Sequence, residues 1–224
     1  MQFDVITIFP KLFNSFLNES LIKKAIEKKL NKICVHDLRK WAKGKHRQVD
    51  DRPYGGGAGM VLMAEPIFRA VQEIKKKSDK KTKVVMLTPA GKQLNEKIIK
   101  DLLKNDQLIL ICGRYEGFDA RVEKIVDEKI SIGPYILSGG ELPAMVLIES
   151  ISRFIPGFLS NPESLEEETY VNAGKKIVQY PQYTRPEVLK MGRKKYSVPK
   201  ILLSGNHVEI KAWREKNKSE VKDK

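Results

Sequence analysis

The sequence predicts an α/β fold, a parallel sheet with helices on both faces, followed by a small, mainly helical C-terminal domain. Three observations carry this. Short apolar runs alternate with residues at helical spacing over roughly the first two thirds of the chain. Two of those runs, VVML (residues 84–87) and LILIC (108–112), are continuously apolar, as strands covered on both faces are. The composition then shifts at Ile155, beyond which the chain becomes polar and afterwards strongly basic.

Taken in order, residues 3–8 alternate as a strand does, and Pro10 sits where a helix can begin, with Leu12, Phe13, Phe16 and Leu17 on its apolar face. A second helix is expected over 19–30 and a second strand over 32–38. Residues 39–63 are long, glycine-rich and basic, and read as a loop. Ile67, Phe68, Val71 and Ile74 mark a helix before the apolar run at 84–87. Leu94, Ile98, Ile99, Leu102 and Leu103 mark another before the run at 108–112. A short strand at 130–132 leads through glycines into a helix over 142–154 that is apolar nearly all round. Such a helix is buried on more than one side, inside the domain or against another subunit. Residues 159–174 read as a linker, dividing a first domain (1–158) from a basic one (175–224). In the latter, Asn206 is placed to cap a helix carrying Ile210 and Trp213 on one face.

The chain has 224 residues, with 42 Lys+Arg against 28 Asp+Glu, a net charge of +14. From Val171 onward there are 14 basic and 5 acidic side chains, so +9 of that total sits in the last quarter. A polyanion is the expected partner, nucleic acid before an acidic membrane surface, with a merely solvating lysine-rich surface as the plain alternative. Cys34 and Cys112 lie singly in strand-like runs, as buried thiols of a reducing compartment do. The first residues lack a basic leader, and no apolar run reaches the roughly 18 residues of a membrane span, so a soluble cytoplasmic protein is expected. The histidines His36, His46 and His207 have no zinc-like spacing, and no metal site is expected from them.

Two familiar nucleotide sites are excluded, since there is neither a G-x-x-x-x-G-K-[ST] loop nor a G-x-G-x-x-G after the first strand. Instead LTPAG (87–91), CGRYEG (112–117) and SIGPYILSGGELPAM (131–145) each follow an apolar strand, and ligands of open α/β sheets gather at such strand ends. In the last stretch Gly133, Gly139 and Gly140 can present backbone groups at close range, beside an apolar slot of Ile132, Tyr135, Ile136 and Leu137. Glu141 falls in a first helical turn, where the dipole favours a carboxylate. A ligand-free glycine connection is the alternative for this stretch alone.

SIGPYILSGGELPAM, with HRQVDDRPYGGGAGM (46–60), CGRYEGFDAR (112–121), YTRPE (183–187) and LLSGNH (202–207), closely resembles the bacterial tRNA (guanine-N1)-methyltransferase family, TrmD, in the same order along most of the chain. The resemblance implies a SPOUT methyltransferase domain with a deep trefoil knot holding S-adenosylmethionine, a homodimer with sites at its interface, and methylation of guanosine 37 beside the tRNA anticodon. Mg²⁺ is implied with it. Cofactor walls would be Met86, Leu87, Thr88, Pro89, Gly113, Tyr115, Glu116, Gly117, Ser131, Ile132, Gly133, Tyr135, Ile136, Leu137, Gly139 and Gly140. His46, Asp50, Arg114, Glu116 and Arg185 form the candidate substrate set, and Arg153, in SRFIPG (152–157), matches the catalytic arginine. Chemistry agrees for Glu116, since a carboxylate can accept from the N1–H and N2–H₂ edge of guanine, although an ordinary ion pair with Arg114 or Arg121 is the alternative.

The chain departs from the family's pattern on the RNA side. Where the family has E-D-S-F, this chain has Glu167, Glu168, Thr169 and Tyr170, making Glu168 the expected general base. L-D-x-P-H-Y-T-R-P becomes VQYPQYTRP (178–186), losing an aspartate and a histidine, and Pro134 stands where an acidic residue is common. A non-catalytic RNA-binding protein of the same fold, or a methyltransferase acting on ribosomal RNA, are the competing readings.

Overall fold

The computed structural model describes residues 1–77, 79–161 and 177–220. The chain divides into two compact units, Met1–Ser160 and Asn161–Lys224.

The first unit is built on five parallel strands: β1 (Gln2–Thr7), β2 (Lys32–Asp37), β5 (Thr82–Gln93), β6 (Gln107–Cys112) and β7 (Glu128–Ser131). Their order across the sheet is β2-β1-β6-β5-β7, and every pairing is parallel. Strand β6 lies in the middle and buries all six of its residues, which is why its sequence shows no polar alternation. Its first residue, Gln107, is fully buried but satisfied: it donates to Asp4 at 2.6 Å and accepts from the Thr82 hydroxyl at 2.9 Å.

The pleat sorts the strand residues into two cores. Phe3, Val5, Val85, Leu87, Leu108, Leu110 and Ile130 face helices α2 (Ser20–Glu27), α4 (Glu96–Leu102) and α5 (Glu141–Ser152). Ile6, Val84, Met86, Ile109 and Ile111 face helix α3 (Ala64–Lys76). The segment after β1 is a 3-10 turn, Pro10–Phe13, continued by α1 (Asn14–Asn18); Phe13 is buried, whereas Leu12 is half exposed. Two short strands, β3 (Asp50–Asp51) and β4 (Val61–Leu62), pair antiparallel within the glycine-rich segment.

Helix α5 buries one face only. Ala144, Leu147, Ile148 and Ile151 are fully buried on the sheet, while Leu142 and Val146 on the other side are 59% and 43% exposed. Strand β5 continues past the expected run: Leu87 and Lys92 both pair with Ile130, so residues 88–91 form an excursion held by the ladder at each end.

In the second unit, where a mainly helical domain is expected, the described residues place short strands beside the helix. These residues carry β8 (Ile177–Val178), β9 (Val188–Met191), β10 (Lys194–Ser197) and β11 (Ser219–Glu220), a 3-10 turn at Lys200–Leu203 and one α-helix, α6 (His207–Lys216). The hairpin β9–β10 forms because Gly192 takes φ 60° in a two-residue turn, Gly192-Arg193, that lets the flanking residues pair antiparallel. Helix α6 is capped as expected, the Asn206 side chain accepting from Glu209 N–H at 3.3 Å. The Trp213 ring meets Tyr183 with centroids 6.4 Å apart, and the Arg214 guanidinium lies 4.9 Å over the Tyr180 ring.

Candidate active site

At the carboxyl ends of β5, β6 and β7 a cleft of about 250 Å³ is walled by residues 87–89, 113–118, 130–133 and 135–140 together with Pro143. All of the expected wall residues line it except Met86, whose side chain points to the opposite core because β5 alternates between Val85 and Leu87 on one face and Val84 and Met86 on the other. Phe118, Ile130 and Pro143 line it as well and were not anticipated, Ser138 lies within the expected run 131–140, and Arg114, expected on the substrate side, is part of the wall. Much of the wall is backbone. Gly140 donates to the Gly113 carbonyl at 2.9 Å, and Arg114 and Gly139 form an isolated antiparallel bridge. Ser131 accepts from Gly133 N–H at 3.3 Å and donates to the Gly133 carbonyl at 2.9 Å, folding the start of the long loop on itself.

Residues 113–117 turn sharply. Gly117 N–H returns to the Arg114 carbonyl at 3.0 Å, and Tyr115 adopts φ 57°, a left-handed angle uncommon for a side chain of that bulk. The turn is tied to the glycine-rich segment by Glu116 N–H to the Met60 carbonyl (3.0 Å) and Leu62 N–H to the Gly117 carbonyl (2.9 Å). Gly59, at φ 84°, lets the Glu116 side chain lie across it, where a Cβ would meet Oε1 at 2.6 Å. Glu116 itself is exposed, and the ordinary ion pair is not formed: Arg114 binds Glu141 and Arg121 binds Asp119 instead.

Glu141 is a buried carboxylate, only 1% exposed. It accepts from the Thr7 hydroxyl on Oε1 at 2.6 Å and from Arg114 Nε and Nη2 on Oε2 at 2.9 Å each. The Arg114 guanidinium also stacks 4.6 Å above the Phe9 ring. Beneath this pair, burial first and the Glu141 charge second push the Cys112 thiol well above its usual range, so it is an inert thiol.

The remaining sequence candidates are spread out. His46 is an exposed turn residue, and Asp50 lies in β3, its carbonyl accepting from Gln48. Arg153 caps the C-terminus of α5 and is half-buried. Arg185 is exposed in the second unit, and Glu168 lies outside the described residues. Among the described residues no group of three or more His, Cys, Asp or Glu is arranged to hold a metal ion. A larger cavity, about 830 Å³, opens at the amino ends of the strands. Its floor is already bonded internally, with Asp4 accepting from Gln2 and Gln107 and paired with His36 at 2.7 Å.

The family model described as tRNA (Guanine-1)-methyltransferase TrmD matches residues 1–224. The chain belongs to the TrmD family. Its curated relatives include a tRNA (guanine-N(1)-)-methyltransferase of Dictyoglomus turgidum, 49% identical over 216 residues that span 96% of this chain and 84% of the relative. One of Ruminiclostridium cellulolyticum is 47% identical over 215 residues, covering 96% and 89%. Among solved structures, the crystal structure of tRNA (m1G37) methyltransferase from Aquifex aeolicus matches with a TM-score of 0.78 at 40% identity, over 95% of this chain and 87% of that one. Membership in the TrmD family implies S-adenosylmethionine as cofactor, and the cleft fits it. Its walls are backbone edges and apolar side chains, with Tyr135 53% and Ile136 79% exposed, suited to a flat heterocycle. The cation in its lining, Arg114, is neutralised by Glu141, which removes a charge that would repel a sulfonium.

Proposed function

We propose that this chain catalyses methyl transfer from S-adenosylmethionine to N1 of guanosine 37 of tRNA, next to the anticodon. The observation that carries the reading is the meeting of three strand-end loops in one cleft, with the exposed Glu116 carboxylate at residues 113–117 and the basic segment stapled alongside. S-adenosylmethionine, when bound, supplies the methyl group. Glu116 accepts hydrogen bonds from the donor edge of guanine, which adenine lacks. Arg153 offers a fixed positive charge to the oxygen on which negative charge develops, and Glu168 takes the N1 proton. An anticodon loop suits such a site because its bases can be splayed out and read edge-on.

In this reading residues 1–158 form the methyltransferase domain, 159–174 a linker and 175–224 the tRNA-binding domain, with His46, Asp50 and Arg185 contacting RNA. The three strand-end loops, at 87–91, 112–117 and 131–145, form a trefoil-knotted cofactor site. Supporting this, Gly91 is pressed against the Ile130 backbone and Gly140 against that of Cys112, contacts that leave no room for a Cβ. Mg²⁺ finds no protein cluster among the described residues and would enter with RNA phosphates, so no step is assigned to it. No described helix is long and apolar enough to cross a membrane, and we place the protein in the cytoplasm with its tRNA.

Incubation with labelled S-adenosylmethionine should transfer label to tRNA carrying guanosine 37 and not to the same tRNA with adenosine there. Binding of tRNA without transfer would instead identify a non-catalytic RNA-binding protein. Since +9 lies beyond residue 170, log K for tRNA should fall steeply as log salt rises, and deletion after Gly174 should abolish tRNA binding while sparing cofactor affinity. Unchanged RNA affinity in that truncation would refute the assignment of the basic unit.

A second copy of the chain is the proposed cover for Leu142 and Val146 on α5, an apolar face left open in one copy. Light scattering should give twice the chain mass of 25.6 kDa at micromolar concentration, and a fully active monomer would reject the dimer.

A further inference from the structure

The cleft contains one buried ion pair whose presence stability alone does not explain. Taking a carboxylate and a guanidinium out of water costs several kcal/mol per ion in general, and well-packed apolar residues of similar volume often serve the core as well or better. Glu141 and Arg114 are nevertheless held at 2.9 Å with Glu141 almost wholly buried; Arg114 is part of the cleft's wall, and Glu141 holds it without lining the cleft itself. A short helix-dipole contact does not need this burial, because a first-turn carboxylate gains that interaction at the surface.

The connections of the pair show what it does. Glu141 begins α5 and closes the loop 131–140, Arg114 opens the turn 113–117, and Thr7 ends β1. The carboxylate thus joins three separate pieces of chain through its two oxygens. Arg114 is bridged through its backbone to Gly139, and its side chain passes so close over Gly139 that a Cβ there would collide with both Nε of Arg114 and Oε2 of Glu141. Glycine at 139 is therefore matched to the ion pair. Two residues beyond Arg114 comes Glu116, and between them Tyr115 is held at its left-handed angle. A loose Arg114 side chain would leave that turn to its backbone bonds, with residues 60–62 on one side and with Gly139 and Gly140 on the other, and without its tie to Glu141.

We infer that Glu141 is a positioning residue of the cofactor cleft: through Arg114 it clamps the 113–117 wall onto Gly139 and Gly140, with the Thr7 hydroxyl as its second anchor. The inference rests on the cleft being the cofactor site. It assigns Glu141 no contact with the reacting atoms.

The test uses the full chain and S-adenosylhomocysteine as the probe, with affinity measured by calorimetry and folding by thermal melting. Glu141→Gln keeps the shape and removes the charge, and should weaken the probe at least tenfold. Thr7→Val leaves the ion pair but removes one anchor, and should weaken the probe several-fold; because it also strips Glu141 Oε1 and Phe9 N–H of a partner, the melting temperature should fall, by less than in Arg114→Met. In an Arg114→Met background the sign changes. Glu141 is then a buried charge without its partner, so adding Glu141→Gln should raise the melting temperature and leave the affinity no lower than that of Arg114→Met alone. Parent-like affinity in both Glu141→Gln and Thr7→Val, or an undiminished loss from Glu141→Gln in the Arg114→Met background, overturns the inference. Thr7→Val decides the matter if Glu141→Gln does not fold. A parent chain that fails to bind the probe refutes the cofactor reading of the cleft itself, a result separate from any variant's.

Discussion

Replacing Glu168 by glutamine is expected to slow methyl transfer about 100-fold or more in single-turnover experiments, while cofactor affinity stays at the parent value. Guanine N1–H is a weak acid, and its proton has to leave as the new bond to carbon forms. Glutamine keeps the size and hydrogen-bonding reach of glutamate but cannot accept that proton. The assignment follows the alignment of Glu167, Glu168, Thr169 and Tyr170 with the family's E-D-S-F, where the aspartate is the base. Glutamate has nearly the basicity of aspartate and one more methylene, so Glu168→Asp should retain much of the rate. Its neighbour provides the control: Glu166→Gln changes the same charge in the same segment and should have little effect. Transfer at the parent rate by Glu168→Gln would place the proton acceptor elsewhere.

Gly140→Ala should be the most damaging single methyl group in the cleft. A Cβ at this position would lie 2.7 Å from Cys112 Cα and 2.8 Å from the Gly113 nitrogen, and both are backbone atoms of a central strand end that cannot rotate away. The loop must retreat, and the hydrogen bond from Gly140 N–H to the Gly113 carbonyl goes with it. Overpacking of this kind costs about 1–3 kcal/mol of stability. The functional loss should be larger in proportion, because the atoms displaced are the wall itself, and S-adenosylhomocysteine should bind at least tenfold more weakly. Gly192→Ala offers a contrast: it too requires a left-handed angle, but a Cβ there meets nothing within 4 Å, and it should lose stability without losing cofactor affinity. Gly140→Ala with intact affinity would mean that the ligand does not rest on this wall.

The parts of the fold most legible in the sequence are those where one local pattern determines the outcome. LILIC had to be a doubly covered strand because nothing in it could face water, and Ile67, Val71 and Ile74 are spaced for one helical face. The strand-end loops were legible for the same reason, each glycine cluster directly following an apolar run. What the sequence hid were interactions between distant residues. The acidic first-turn position of Glu141 was visible; its bonds to Thr7, 134 residues earlier, and to Arg114 were not. Met86 was placed with its neighbours in the cleft because a motif has no sides, whereas a strand has two. The β9–β10 hairpin was missed although Gly192-Arg193 between V-L-K-M and K-K-Y-S carried its signal, since the lysines masked the alternation.

The strand order has a consequence during synthesis. Strands β1 and β2 can pair as soon as Asp37 has left the ribosome, but the other edge of β1 waits for β6, which begins only at Gln107. At ~5–20 residues/s this leaves an apolar strand edge without its native neighbour for on the order of several seconds. The intervening chain carries Lys75, Lys76, Lys77, Lys80 and Lys81, a cluster of positive charge in the stretch that emerges before the edge is closed. Charges so placed discourage the nascent edge from pairing with another chain.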